Sequence, residues 1–213
     1  MKRFNNYKLF IFIIILLAFI TFSSEKILNT KEIINDFYSD KLSEKQISQF
    51  LIGQEKWSWL GYLLIPFFIL IRTSLVTLCI SIGLFFYETE NRIKFKKLFR
   101  ISLIGEFVLS LTFISKFFYF YFFKTDYTLH ELQQFYPLSY TNLINLDNLE
   151  PWLVYPLQTI NLFEIGYFFM LVFGLHKLLK NKYAKSFEIV AVSYGTGLVI
   201  WIGLIMFLTL NMF

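Results

Sequence analysis

Residues 60–86 read LGYLLIPFFILIRTSLVTLCISIGLFF, and this stretch decides the fold. It contains one charged side chain, Arg72. A helix needs roughly 20 mainly apolar residues to cross about 30 Å of hydrocarbon. The stretch therefore predicts a helix that spans a membrane.

The whole chain has the same apolar character. Of its 213 residues, 56% are hydrophobic and 16% are charged, and the mean hydropathy is +0.57. Soluble globular domains carry about 25% charged residues. The composition therefore excludes a disordered chain and an ordinary globular domain. With a single cysteine, the chain has neither a disulfide framework nor a cysteine-based metal site.

Five stretches are apolar enough, or nearly so, to cross a bilayer. The predicted spans are residues 9–22, 60–86, 101–123, 160–178 and 187–213. We expect helices, because a helix satisfies its own backbone hydrogen bonds in lipid. The sequence thus predicts an all-α bundle of five transmembrane helices, a single membrane domain over residues 1–213. Its outer segments are residues 23–59 and 124–159.

The first predicted span is short, so a cleaved signal peptide is the alternative interpretation. Lys2, Arg3 and Lys8 supply the positive leader that signal peptides carry. The end of the stretch, Thr21-Phe22-Ser23-Ser24, lacks an A-x-A cleavage site. We therefore favour an uncleaved anchor over a removed signal peptide.

The distribution of charge predicts the orientation. With the N-terminus inside, the inner segments hold 12 Lys and Arg residues and three acids, Glu88, Glu90 and Glu188. The outer segments hold six Lys and ten acidic residues. This bias favours an N-in, C-out protein of the cell inner membrane. The basic stretch at the third span, Lys94, Lys96, Lys97 and Arg100, is expected to contact anionic lipid headgroups rather than nucleic acid.

The first outer segment is expected to form one or two short amphipathic helices between Glu25 and Lys56. Ser43 and Gln46 have capping-box spacing, which marks a helix start. Ile47, Phe50 and Leu51 then follow on one helical face.

Charged residues inside predicted spans are costly and call for partners. There are four, namely Arg72, Glu106, Lys116 and Glu164. At 1.5 Å of rise per residue, Arg72 and Glu106 differ in depth by only about a turn, within reach of a long Arg side chain. Lys116 and Glu164 both lie several ångströms outward of the midplane. We predict these two interhelical pairs. They are either structural or part of a proton or ion pathway.

Small residues at helical spacing predict close packing of the last two spans. Gly166 and Gly174 lie on the fourth span, and Ala191, Gly195 and Gly197 on the fifth. Such residues let helix backbones approach one another, so the two spans are expected to pack as a hairpin.

No catalytic motif is present in the sequence. His130 and His176 lie on opposite sides of the predicted bilayer, so they cannot share a metal. Asp126 and Glu131 are interpreted as a solvated loop face rather than a carboxylate pair. Cys79 has no basic neighbour that would make it a nucleophile. We expect no catalytic residue, metal or cofactor.

The C-terminal third resembles the bacterial Yip1-like membrane proteins. The resemblance rests on Pro156-Leu157, Asn161-Leu162-Phe163-Glu164-Ile165, Val172-Phe173-Gly174-Leu175, Tyr183-Ala184-Lys185 and Trp201. It covers about 60 residues, and it implies five spans and a non-enzymatic role in membrane trafficking or as a transporter-like component. No catalytic residue is implied.

These observations lead to three functional hypotheses. The first is a non-enzymatic accessory or scaffold subunit that binds other membrane proteins, or itself, within the lipid bilayer. The second is a small transporter or channel that uses the four intramembrane charges. An intramembrane enzyme ranks third, and nucleic acid is not an expected partner.

Overall fold

The structure is a computed structural model that describes residues 5–39, 41–87, 93–144 and 149–212. Seven residues used in the charge count lie outside this part of the chain, namely Lys2, Arg3, Asp40, Glu88, Glu90, Arg92 and Asp147.

The described residues form α-helices with short connections. The helices are α1 (Asn6–Ile27), α2 (Thr30–Ser39), α3 (Glu44–Phe86), α4 (Phe95–Phe118), α5 (Leu129–Gln134), α6 (Pro151–Thr159), α7 (Leu162–Leu179), α8 (Tyr183–Val190) and α9 (Thr196–Met212). Two π-helical segments interrupt this pattern, Tyr119–Phe123 after α4 and Ala191–Gly195 between α8 and α9. A 3-10 turn covers Tyr140–Leu143.

The helical stretches that are long and apolar enough to cross a membrane number five among the described residues. They are Asn6–Ile27, Glu44–Phe86, Phe95–Phe123, Leu162–Leu179 and Tyr183–Asn211. The prediction of an all-α fold with five such helices is thereby confirmed for this part of the chain.

The second of these helices is much longer than predicted. α3 has 43 residues, which corresponds to about 64 Å at 1.5 Å per residue, against about 30 Å of hydrocarbon. The one or two short helices expected between Glu25 and Lys56 are therefore only partly found. α2 is short, but the helix that starts at Ser43 runs on into the span. Gln46 Oε1 accepts the Ser43 N–H at 3.0 Å and its hydroxyl at 2.9 Å, which fixes the start.

The bundle has two distinct ends. We call the end that carries residues 93–97 and 180–182 the basic end. The opposite end, which carries residues 28–39, 41–56, 124–144 and 149–161, is the loop end. At the loop end an isolated antiparallel bridge joins Ser139 to Asn161. Phe120, in the aromatic run 117–123, is buried there and packs on Tyr127 and Phe135 with centroid distances of 4.6 and 5.3 Å.

α4 is the central helix of the bundle, since α1, α3 and α7 all pack against it. One core cluster joins α3, α4, α7 and the last span, and it includes Ile80, Leu98, Leu171 and Ile189. A smaller cluster attaches α1 through Ile13, Ile69 and Leu103.

The glycines of α7 pack on α4, not on the last span as predicted. A methyl group at Gly174 would overlap Ile101, and one at Gly166 would lie 3.2 Å from Val108 Cγ1. α7 does contact α8, but through larger side chains such as Phe168 and Phe187, whose ring centroids are 5.3 Å apart. Small residues show where backbones can approach, and they do not specify which helix approaches.

The small residues of the last span face α3. A methyl group at Gly197 would lie 2.7 Å from Cys79 Sγ, and one at Gly83 of α3 would overlap Ser193. Gly195 has open space where a Cβ would be, and Ala191 is half-buried at the start of the π segment. The predicted close packing of Gly195 against α7 is therefore wrong.

Candidate functional site

A polar cluster lies between α3, α4, α7 and the π segment Ala191–Gly195. Its centre is an ion pair between Arg72 and Glu106. The Arg72 Nε–H lies 3.0 Å from Glu106 Oε1 and 3.2 Å from Oε2, and Nη2 donates to Oε2 as well. This bidentate geometry is the strong form of an Arg–carboxylate contact.

The two partners differ in exposure. The Glu106 side chain is 2% exposed and the Arg72 side chain is 52% exposed. A buried carboxylate without its cation is very unfavourable, so Arg72 is required to neutralise Glu106. The rest of the guanidinium faces away from Glu106.

Beyond the π segment, α9 packs mainly against α6 rather than against α3. Cys79 lies seven residues after Arg72, on the same face of α3, and it contacts the last span at Gly197. Farther along α9, Leu204 is 47% exposed, and neighbouring Gly203 has open space at its Cβ position.

Glu164 does not pair with Lys116, so this second predicted pair is wrong. Its Oε1 instead accepts a hydrogen bond from the hydroxyl of Tyr194. Lys116 has no ion-pair partner among the described residues, and it is partly buried.

The register of α4 against α7 explains why Lys116 and Glu164 miss each other. Gly166 lies against Val108 and Gly174 against Ile101, so the helices run antiparallel. Eight residues beyond Val108 is Lys116, and the matching position on the other chain segment is residue 158, which precedes the start of α7 at Leu162. Lys116 therefore lies beyond the start of α7, out of reach of Glu164.

Two tyrosines that the sequence reasoning missed complete the cluster. Tyr167 is 1% exposed, and its ring fills the space left by Gly105 of α4. The Tyr167 and Tyr194 ring centroids are 5.4 Å apart. The Tyr167 hydroxyl is buried and has no hydrogen-bond partner among the described residues.

The sequence contains little that would identify Tyr167 or Tyr194 as part of a polar cluster. Tyrosine is common in apolar helices, so neither residue stands out by composition. The π segment that carries Tyr194 has no reliable sequence signature, although single π turns often occur at functional sites.

Buried hydroxyl groups continue from this cluster towards the basic end. Thr73, Thr77 and Ser102 are all fully buried. The Thr77 hydroxyl lies 2.6 Å from the Thr73 carbonyl oxygen and 3.2 Å from Ser102 Oγ. They form a polar line within the α3–α4 interface.

The predicted lipid-contact residues lie at the basic end. Lys94 precedes α4 as its N-cap, and Lys94, Lys96 and Lys97 are exposed while Arg100 is half-buried. The carbonyl of Lys96 accepts a hydrogen bond of 3.1 Å from the Asn6 amide, which ties the start of α1 to α4.

At the loop end, Glu131 pairs with Lys124 rather than with Asp126. The hydrogen bond from Lys124 holds the pKa of the Glu131 carboxyl below its ordinary value, and the same contact raises the pKa of Lys124. Glu131 also accepts the Thr128 N–H at 2.9 Å, which closes the capping box of α5.

The described residues contain no group of three or more His, Cys, Asp and Glu side chains that could hold a metal ion. Comparison with known proteins gives no matching family model, no matching curated protein and no matching solved structure.

Proposed function

We propose that this chain is a multi-pass protein of the cell inner membrane with its basic end in the cytoplasm. The five long apolar helices support insertion, and the Lys and Arg bias supports the N-in, C-out orientation. The Yip1-like resemblance belongs to the same proposal and is supported by the C-terminal motifs alone.

Within that membrane we propose a non-enzymatic accessory subunit that binds another membrane protein. Its contact surface is the outer platform, which we define as α2 together with residues 44–56 of α3. These 13 residues of α3 extend about 20 Å before Trp57. A rigid helical extension of this length suits a protein that holds a partner.

Polar contacts hold the platform together and fix the residues beside it. Lys31 of α2 and Glu55 of α3 form an ion pair of 3.2 Å within the platform. Next to the platform, the Tyr62 hydroxyl lies 3.2 Å from a Glu25 carboxylate oxygen. The Tyr127 hydroxyl lies 3.1 Å from the Leu28 carbonyl oxygen and connects the residues just before α2 to the second loop segment.

The observation that carries the proposal is an exposed aromatic patch on this platform. Phe37 is 38% exposed and Phe50 is 48% exposed, and Trp57, the first residue after the platform, is 60% exposed. Tyr38 lies between Phe37 and Phe50, with ring centroids 5.0 and 5.6 Å from theirs. Aromatic side chains are enriched at protein interfaces, and exposed apolar patches of this kind mark interaction sites.

Site-specific photocrosslinking in cells tests this proposal. A photoreactive phenylalanine analogue is placed at Phe50 and, as a matched control, at Ile52, which is 67% exposed and about 200° around the same helix. The proposal predicts a discrete protein adduct from position 50 and none from position 52. Equal adducts at both positions, or none at position 50, would contradict it.

A small transporter is the second candidate function. The polar cluster and the buried line of Thr73, Thr77 and Ser102 favour it, because polar groups inside a span often mark an ion or proton pathway. Purified protein in liposomes should then dissipate a pH gradient, and the Glu164→Gln variant should not. Equal gradients with and without the protein would contradict this candidate.

A further inference from the structure

The polar cluster carries an imbalance of formal charge. It contains one cation, Arg72, and two carboxylates, Glu106 and Glu164. Lys116 does not join it. With all three groups ionised, the cluster would hold one uncompensated negative charge inside an apolar bundle, which is costly.

Arg72 cannot serve both carboxylates equally. Its Nε and Nη2 groups both bind Glu106, which is the buried partner in this ion pair. The charge of Glu164 must therefore be compensated by a group other than Arg72.

The groups that face Glu164 come from every element packed around it. They are Arg72 of α3, Glu106 of α4, Tyr194 of the π segment, Tyr167 of α7 and Tyr136 of the loop after α5. Arg72 is the one cation in this set.

Hydrogen bonds fix both the backbone and the side chain of Glu164. Asn161 caps α7, and its Oδ1 accepts the Glu164 backbone N–H at 2.8 Å. The Tyr194 hydroxyl donates to the carboxyl oxygen Oε1. The Tyr194 ring packs on Tyr167, whose buried hydroxyl has no hydrogen-bond partner among the described residues.

We propose that Glu164 is a proton-binding site. One proton adds to its carboxylate to give the neutral acid, and this balances the cluster against the Arg72–Glu106 pair. The Tyr194 hydroxyl holds the acid by its hydrogen bond to Oε1. The inference stands on the geometry of the cluster and does not rest on the binding of a partner at the outer platform.

Infrared difference spectroscopy of the full chain in lipid nanodiscs tests the proposal. On raising the pH, the wild type should lose a carbonyl band of a protonated carboxylic acid, and Glu164→Gln should lack that band. Glutamine has the shape of the protonated acid, so this variant should fold normally. Lys116→Met is the control and should leave the band and its pH dependence unchanged.

A second variant keeps the test independent of Glu164→Gln. Tyr194→Phe removes the hydrogen bond to the carboxyl group, and the band should then persist to higher pH, because a donated hydrogen bond favours the carboxylate. A band that survives in Glu164→Gln would overturn the proposal. So would a wild type without such a band at any pH, or a Tyr194→Phe variant that titrates like the wild type.

Discussion

The Arg72 side chain of α3 and the Glu106 carboxylate of α4 form a bidentate ion pair that links two neighbouring helices. The contact combines a half-exposed cation with an almost fully buried anion. Removal of either partner leaves the other without compensation, and the buried carboxylate has the greater need for a partner.

This relationship predicts strong coupling between the two positions. Arg72→Met should destabilise the bundle by about 3 kcal/mol, because it leaves Glu106 buried and unpaired. Glu106→Gln should destabilise as well, because Arg72 then lacks its anion inside an apolar span. The double variant should be more stable than Arg72→Met alone. Unfolding in mild detergent measures all three, and simple addition of the two single effects would contradict the pairing.

Close helix contact at Gly105 gives a second prediction. A methyl group there would lie 2.5 Å from Tyr167 Cε2, so Gly105→Ala should cost about 1–3 kcal/mol through overpacking. Gly203→Ala is the matched control, because nothing lies within 4 Å of its Cβ position and alanine favours the helix. Thermal unfolding of both variants decides the point. A Gly105→Ala protein as stable as Gly203→Ala would be inconsistent with this packing.

The contact between α3 and the last span can be tested in the same way. Gly197→Ala should destabilise, because the added methyl group would lie 2.7 Å from Cys79 Sγ. Cys79→Ala in the same chain should restore much of the lost stability, because it removes the sulfur atom that the added methyl group would overlap. If the second change gives no recovery in thermal unfolding, the two helices do not meet at this pair.

At the loop end the Lys124–Glu131 pair predicts a local dependence on pH. The pKa of Glu131 is lowered in the folded protein, so its contribution to stability is present above the unfolded pKa and disappears as the pH falls through the folded pKa. Carboxyl NMR should show Glu131 titrating below an ordinary glutamate. Lys124→Met should move that titration upward, and an unchanged midpoint would mean that the pair has no effect in solution.

Composition and helix rise predicted much of the fold and one part of the site. Apolar length located five helices, because the hydrocarbon thickness sets a minimum length. Similar depth placed Arg72 within reach of Glu106. The same argument failed for Lys116 and Glu164, because it assumed that the midpoints of the predicted spans lie at the same level. The packing of Gly166 on Val108 instead sets Lys116 beyond the start of α7.

Other features could not be found from the sequence because they depend on packing. The apolar character of α3 begins near Leu60, yet the helix begins at Glu44, since composition marks the lipid boundary and not the end of a helix. Pro66 stays inside that helix. The part played by Tyr194 depends on the π segment and on which helix α9 approaches, and neither follows from spacing.

The central claim is that the chain crosses the membrane five times with its basic end in the cytoplasm. Single cysteines introduced into a Cys79→Ala background, at Lys182 of the basic end and at Asp126 of the loop end, can be labelled in intact cells with an impermeant thiol reagent. The account predicts that Asp126→Cys reacts from outside and that Lys182→Cys reacts only after permeabilisation. Reaction of both positions from the same side would contradict it.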